Sequence, residues 1–324
     1  MTTRGPVLLI VPALIPERLR ARFEESARTA APEIEVTMTD GADTAVARAE
    51  DAEVIAAYEV PAPVAAQAHQ LRWIHAFTAG VDQFMTIPGI ADGRIVLTRT
   101  VGAHGAMPEH VMALILAFAR RLHVSIRNQA AHRWDRVSGV GDEVAGRTLG
   151  ILGLGQIGQA LAARAAAFGM RVIGTQRSPR PLPFVDRVFP PDRFLEALHE
   201  ADYVVVLLPL TAETRGLLGE RELRAMKPSG VLINVARGAI VQEPALLMAL
   251  RQGWIAGAGL DAFEQEPLPP DHPLYEIERV IITPHVAGVA PAYFDRVTAV
   301  FCENLRRYVE GAPLLHVVDV ARGY

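Results

Sequence analysis

The chain has 324 residues, 50% of them hydrophobic and 21% charged, with a formal net charge of -4; that length exceeds a typical single core, so two domains are expected, and no basic face is implied for a nucleic acid. A single cysteine, Cys302, excludes an internal disulfide framework and reads as a small apolar core residue. The longest uncharged apolar stretch, 111–119, is too short to span a bilayer, and the first residues lack a secretory leader pattern, so a cytoplasmic protein is expected.

The first third alternates short β-branched runs with helical ones. Residues 7–11 predict a strand, 17–30 a helix, 34–38 a strand, 44–49 a short helix, and 53–57, 71–77 and 95–98 further strands. Such alternation builds a parallel sheet with helices on its faces. From Pro108 the pattern changes. Glu109 and the apolar run 111–118 predict a long buried helix with proline in its first turn and Arg120, Arg121 and His123 near its end, where cations suit the helix dipole. This helix reads as the entry to a second domain. A second series then offers six strands, at 148–152, 171–174, 203–208, 231–235, 256–260 and 280–282, the number of a complete dinucleotide-binding sheet. Residues 294–310 predict a late helix that can pack back on the first domain, followed by an extended tail at 313–320. The expected fold is α/β: two Rossmann-like domains with parallel sheets. A substrate domain, discontinuous in sequence, takes 1–103 and 289–324, a dinucleotide-binding domain takes 104–288, and the two crossings form a hinge.

Gly153-Leu154-Gly155-Gln156-Ile157-Gly158 fits the GxGxxG pattern between a strand candidate and an alanine-rich helix candidate at 159–168. In that context the first glycine makes a tight turn, the second admits a pyrophosphate close to the backbone, and the third lets helix and strand pack. The helix N-terminus then offers unpaired N–H groups to the phosphates. A plain strand–turn–helix corner is the alternative. NAD sites usually carry an acid about 20 residues on, at the end of the second strand. Here stand Thr175, Gln176, Arg177 and Ser178, and no acidic residue occurs between Gly158 and Asp186. Arg177 can pair with a 2′-phosphate and Ser178 can donate to it. Charge-assisted bonds of about 1.5–3 kcal/mol make NADP the expected cofactor by about tenfold to a hundredfold, with NAD second. Arg177 and Arg180 otherwise read as solvated loop charges.

Three later segments carry the chemistry: Leu232-Ile-Asn-Val-Ala-Arg-Gly238, Gly259-Leu-Asp-Ala-Phe-Glu-Gln-Glu-Pro267 and Ile282-Thr-Pro-His-Val-Ala-Gly288. With Leu208-Pro-Leu-Thr-Ala-Glu-Thr214 and Met226-Lys-Pro228, they resemble the D-isomer-specific 2-hydroxyacid dehydrogenase family, in order and over nearly the whole chain. The resemblance implies that Arg237 binds a substrate carboxylate, that Glu266 pairs with His285, and that His285 is the general acid/base. It places Asp261 near the nicotinamide carboxamide and Pro209 and Ala236 along the cofactor. Trp73-Ile-His-Ala-Phe-Thr-Ala-Gly-Val-Asp82 resembles the family's first-domain loop, whose backbone N–H groups bind the carboxylate, so Ala79 and Gly80 are the expected substrate contacts. The family's alanine–glutamate step appears here as Met107-Pro108-Glu109. Phe77 and Met107 are read as pocket lining or core, His75 and His104 as pocket walls, and His110 as a helix residue at the hinge.

The residue types suit that chemistry. A guanidinium clamps a carboxylate with a planar fork and polarises the adjacent carbonyl, which a lysine does less well. Hydride arriving at the second carbon leaves charge on oxygen, and histidine can deliver a proton there near neutral pH. A neighbouring carboxylate stabilises the imidazolium and fixes its ring. Singly, His285 reads as a loop histidine and Glu266 as one more acid beside Glu264; in order and at strand ends, the three make a constellation. No metal-ligand spacing is present and none is expected. The branch most resembled is glyoxylate/hydroxypyruvate reductase, acting on a small 2-oxo or 2-hydroxy acid, with a homodimer formed through the Pro108 helix and the Trp134 region. Alternatives are an NAD-dependent phosphoglycerate- or phosphite-dehydrogenase-like enzyme and a non-catalytic, nucleotide-sensing corepressor. The long phosphoglycerate form is disfavoured by length, and the corepressor by the lack of a basic surface.

Overall fold

The computed structural model describes residues 5–13 and 15–324. The chain divides into two compact units: the chain up to His104 together with Ala290–Tyr324, and Gly105–Val289.

In the first unit β1 (Val7–Ile10), β2 (Val36–Thr39), β3 (Val54–Ala57), β4 (Trp73–Ala76) and β5 (Val96–Arg99) pair in parallel, in the order β2-β1-β3-β4-β5. Strand side chains alternate between faces, and both faces here are covered. Val7 and Leu9 pack with Phe23 of α1 (Glu17–Ala30) and Phe301 of the last helix (Pro291–Glu310, α10 in chain order), whereas Leu8 and Ile10 pack with Ala45 of α2 (Ala42–Ala49) and Val64 of α3 (Ala62–Gln67). The late helix therefore completes the first unit's core. Phe301 is fully buried, and emptying such a site costs about 3–5 kcal/mol. Its neighbour Cys302 is buried too, and burial pushes the thiol up to about 11. The tail beyond α10 forms no strand; Val317 makes one antiparallel bridge to Thr98, and the Asn304 side chain holds the backbone of Leu315.

His75, considered above as a pocket wall, is core, and Phe77 takes the core reading of its two. His75 is wholly buried, its ring nitrogens 2.8 and 3.2 Å from the hydroxyls of Thr98 and Thr100, and burial lowers its pKa to about 3. Both faces of β4 are buried, so every one of its positions, His75 included, lies in the core.

The second unit opens with α4 (Met107–Ala119), the helix expected from Pro108, followed by a further helix, α5 (Leu122–Ala130). Arg121 breaks the run in the left-handed region, at φ +51. The end of α4 is sealed by a distant loop: Asp142 N–H donates to the Ala119 carbonyl, and a Cβ at Gly141 would lie 2.3 Å from that oxygen. There follow β6 (Thr148–Leu152), α6 (Gln156–Ala167), β7 (Arg171–Thr175), β8 (Arg187–Phe189), α7 (Phe194–Glu200), β9 (Tyr203–Val206), α8 (Glu220–Ala225), β10 (Val231–Asn234), α9 (Glu243–Gln252), β11 (Gly257–Leu260) and β12 (Val280–Ile282). The sheet is parallel, in the order β12-β11-β10-β9-β6-β7-β8. It has seven strands, not six. The overlooked β8 is a three-residue edge strand between proline-rich segments, too short for a periodic signal. Strand order reverses between β6 and β9, and ligands bind doubly wound sheets outside the carboxyl ends of strands at such a point. Among the described residues no helix is long and apolar enough to cross a membrane.

Candidate active site

The glycine-rich turn leaves β6 at this switch point. Gly153 takes φ +107, and a Cβ there would lie 2.8 Å from the Leu207 carbonyl oxygen; one on Gly158 would lie 2.3 Å from that of Gly153. Gly155, by contrast, faces open space. α6 starts immediately after it with no side-chain cap, so the N–H groups around Gln156 and Ile157 form an anion-ready helix end. At the end of β7 the Gln176 Oε1 atom is buried with no hydrogen-bond partner, an acceptor suited to a ribose hydroxyl. Arg177 lies 3.3 Å from Glu213, and both side chains are largely exposed, so this pair is worth about 1 kcal/mol at most and a phosphate can displace it. Ser178 is exposed beside it. The Pro209 carbonyl is fixed by the Thr214 hydroxyl at 2.6 Å. These residues fit a dinucleotide: the glycine turn and α6 for its pyrophosphate, Gln176 to Ser178 for its adenosine ribose.

Arg237 follows β10 in a turn shaped by Asn234, whose buried amide accepts from Ala236 N–H at 3.1 Å and donates to the Arg237 carbonyl at 2.9 Å. Gly238 permits the next contact, since a Cβ there would sit 1.9 Å from the Phe263 carbonyl carbon. The loop after β11 thus lies directly against the arginine turn and carries Glu266 with it. Glu266 Oε1 accepts from Phe263 N–H at 2.9 Å, and Oε2 lies 2.7 Å from His285 Nδ1. A carboxylate only accepts, so Nδ1–H donates and Nε2 is not engaged by Glu266. The bond to Glu266 is the main cause holding the His285 pKa above the ordinary imidazole value, against burial and the Arg237 charge. Burial opposes ionisation of Glu266, yet the bonds from His285 and Phe263, with the charges of His285 and Arg237, hold its carboxyl below the usual range. All three groups therefore act electrostatically on one another.

His285 itself takes φ +53, a left-handed conformation that costs a non-glycine residue about 1–3 kcal/mol. Asp261 holds it there. This carboxylate is 1% exposed; Oδ1 accepts from the Thr283 hydroxyl at 2.6 Å and Val286 N–H at 3.0 Å, and Oδ2 from Ala287 N–H at 2.9 Å. Asp261, expected beside the nicotinamide, thus has both oxygens engaged by the loop that presents His285. His110, read above only as a helix residue, brings Nε2 to 3.1 Å from the Thr283 hydroxyl. Neither Thr283 nor Asn234 was singled out from the sequence, although both lie inside the quoted motifs.

Ala79 and Gly80 belong to the first unit, after β4. Their carbonyls accept from Arg99 at 3.1 Å and the Thr78 hydroxyl at 2.6 Å, which orients the loop; among the described residues no acceptor meets their N–H groups. His104 stacks edge-on against Tyr293 in the same unit, with ring centroids 5.2 Å apart.

The Glu266–His285 bond has a pH consequence. In Glu266→Gln the imidazolium loses its counter-charge, so the His285 pKa falls. For a reaction needing protonated His285, the rate plateau on the acid side should end at a lower pH than in the wild type. The pH profile of kcat/KM checks this, and an unmoved profile would detach Glu266 from the titration.

Dinucleotide-dependent oxidoreductases with a doubly wound sheet are the class this geometry describes. A family model for the D-isomer specific 2-hydroxyacid dehydrogenase, NAD binding domain, matches residues 112–287. The chain is 37% identical to a glyoxylate reductase of Korarchaeum cryptofilum over 260 residues, 78% of this chain and 77% of that protein. It is 34% identical to a D-3-phosphoglycerate dehydrogenase of Mycobacterium leprae over 323 residues, covering 98% of this chain and 60% of that longer relative. Among solved structures it is similar to the NADPH-dependent glyoxylate/hydroxypyruvate reductase of Sinorhizobium meliloti in complex with NADP and sulfate, with a TM-score of 0.86, 30% identity and coverage of 99% and 100% of the two chains. The chain belongs to the D-isomer-specific 2-hydroxyacid dehydrogenase family and is an oxidoreductase.

Proposed function

We propose that the protein is a cytoplasmic reductase of small 2-oxo acids, such as glyoxylate or hydroxypyruvate, forming the D-2-hydroxy acid with NADPH in preference to NADH. The observation that carries this reading is the 2.7 Å Glu266–His285 bond, with the charge of Arg237 acting on both partners. Hydride is supplied by the reduced nicotinamide when bound. Arg237 grips the substrate carboxylate and polarises the ketone, His285 delivers a proton from Nε2 to the developing alkoxide, and Glu266 stabilises the imidazolium through Nδ1. Ala79 and Gly80 are proposed to donate backbone N–H groups to the carboxylate. Asn234 and Asp261 hold the two loops that carry Arg237 and His285.

The branch assignment draws support from the glyoxylate reductase relatives and from the absence of an acid at the end of β7. We also propose a homodimer through α5 and the loop after it, where Leu122, Ile126, Trp134 and Val137 stand exposed. The test is an initial-rate assay with NADPH and NADH against a panel of 2-oxo acids. Glyoxylate or hydroxypyruvate should be reduced, with NADPH preferred at least about tenfold, and Arg177→Ala should remove most of that preference. Turnover confined to bulky aromatic 2-oxo acids, or equal use of both cofactors by wild type and variant, would contradict the proposal.

A further inference from the structure

The strained loop carrying His285 is held from the far side by a chain of hydrogen bonds that begins outside the loop, on helix α4. Both Asp261 oxygens accept: they take bonds from two backbone N–H groups as well as from Thr283. The single hydroxyl hydrogen of Thr283 is therefore directed to Asp261 Oδ1, 2.6 Å away. What Thr283 offers His110 is a lone pair, so His110 Nε2, at 3.1 Å, is the donor in that contact. His110 Nε2 is also 3.9 Å from Asp261 Oδ1, close enough to add a favourable electrostatic contact without a direct bond. The sequence of donors is thus directional: helix imidazole to threonine hydroxyl to buried carboxylate, with the same carboxylate receiving the N–H groups of Val286 and Ala287, the two residues after His285.

We propose that His110 and Thr283 are positioning residues for the reaction: acting through Asp261, they keep His285 in its left-handed conformation, with Nδ1 on Glu266 and Nε2 directed outward. The pair's effect is on where the imidazole stands. A shift of about 1 Å in a proton donor lowers rate by up to about a hundredfold. This inference rests on the reading of His285 as the proton donor.

The experiment compares Thr283→Val, which removes the hydroxyl at nearly constant shape, with Thr283→Ser, which keeps it, and His110→Leu with His110→Gln, whose amide can still donate. Two readouts are taken: steady-state kcat and KM with NADPH and glyoxylate, and titration of the His285 imidazole by NMR in the cofactor-free protein. The groups facing that imidazole are Glu266, Arg237 and Asp261, and all are unchanged in the four variants. Thr283→Val and His110→Leu should lower kcat about ten- to a hundredfold with little change in KM, and should move the His285 titration to lower pH as its bond to Glu266 loosens. Thr283→Ser and His110→Gln should stay near the wild type in both readouts. Native titration of His285 in Thr283→Val and His110→Leu would overturn the proposal, as would a lowered melting temperature with unchanged kcat in the folded fraction. If Thr283→Val does not fold, the more peripheral His110 pair decides. The titration needs no turnover, so it judges the positioning even if 2-oxo acids prove not to be substrates.

Discussion

Alanine in place of His285 is expected to lower kcat for 2-oxo acid reduction by about 10²–10⁴-fold, the usual contribution of a positioned general acid. Cofactor affinity should stay nearly unchanged, because the glycine turn and Gln176 to Ser178 lie on other loops of the unit. The size of the effect follows from the chemistry: without a donor at Nε2 the alkoxide must take its proton from water as it forms. The variant should also lose the pH dependence that the Glu266–His285 pair imposes. Steady-state kinetics with a fluorescence titration of NADPH check both parts. A variant that keeps full kcat and its pH profile would show that another group delivers the proton.

Arg237→Gln should lower kcat/KM for the 2-oxo acid by about 10²–10⁴-fold, the equivalent of two charge-assisted hydrogen bonds of about 1.5–3 kcal/mol each. Most of the loss is expected in KM, with a smaller loss in kcat from weaker polarisation of the ketone. Lysine at this position keeps the charge but not the planar fork, so it should recover only part of the activity. The variant has a second signature. The Arg237 charge acts against protonation of His285 and in favour of ionised Glu266, so its removal should raise the His285 titration, opposite in sign to Glu266→Gln. Rates measured over substrate concentration and pH separate the two effects, and unchanged saturation would remove Arg237 from the site.

The candidate trio was legible through the resemblance of its motifs to a known family, and the glycine turn through its pattern between an apolar strand run and an alanine-rich run. The two parallel sheets were legible because strands buried on both faces, such as β1 and β9, read as continuous apolar runs. The misses have local causes. β8, at three residues, is too short to announce itself. The break between α4 and α5 depends on Asp142 and Gly141 closing over the helix end, a contact about 20 residues away that no periodicity records. His75 was read as a pocket wall, whereas here two threonines satisfy it in the core, partners on a neighbouring strand segment that the sequence order does not pair with it.

Within the site, the departure was in the second layer. Asp261 was found by its place in a motif, but its two oxygens hold the 283–287 loop, a role that depends on three donors from one loop converging in space. Arg177 was found as a cation, but its partner Glu213 lies 36 positions away and tempers how strongly it can favour a 2′-phosphate. Resemblance to a family names the candidate residues, and the hydrogen bonds decide how each is held.

A crystal structure of the protein with NADP and oxamate, a 2-oxo acid analogue that resists reduction, would test the account most directly. The carboxylate of oxamate is expected on the Arg237 guanidinium, with its carbonyl oxygen within about 3.2 Å of His285 Nε2 and Nδ1 still bonded to Glu266. Oxamate bound away from Arg237, or a carbonyl oxygen served by some group other than His285, would contradict it.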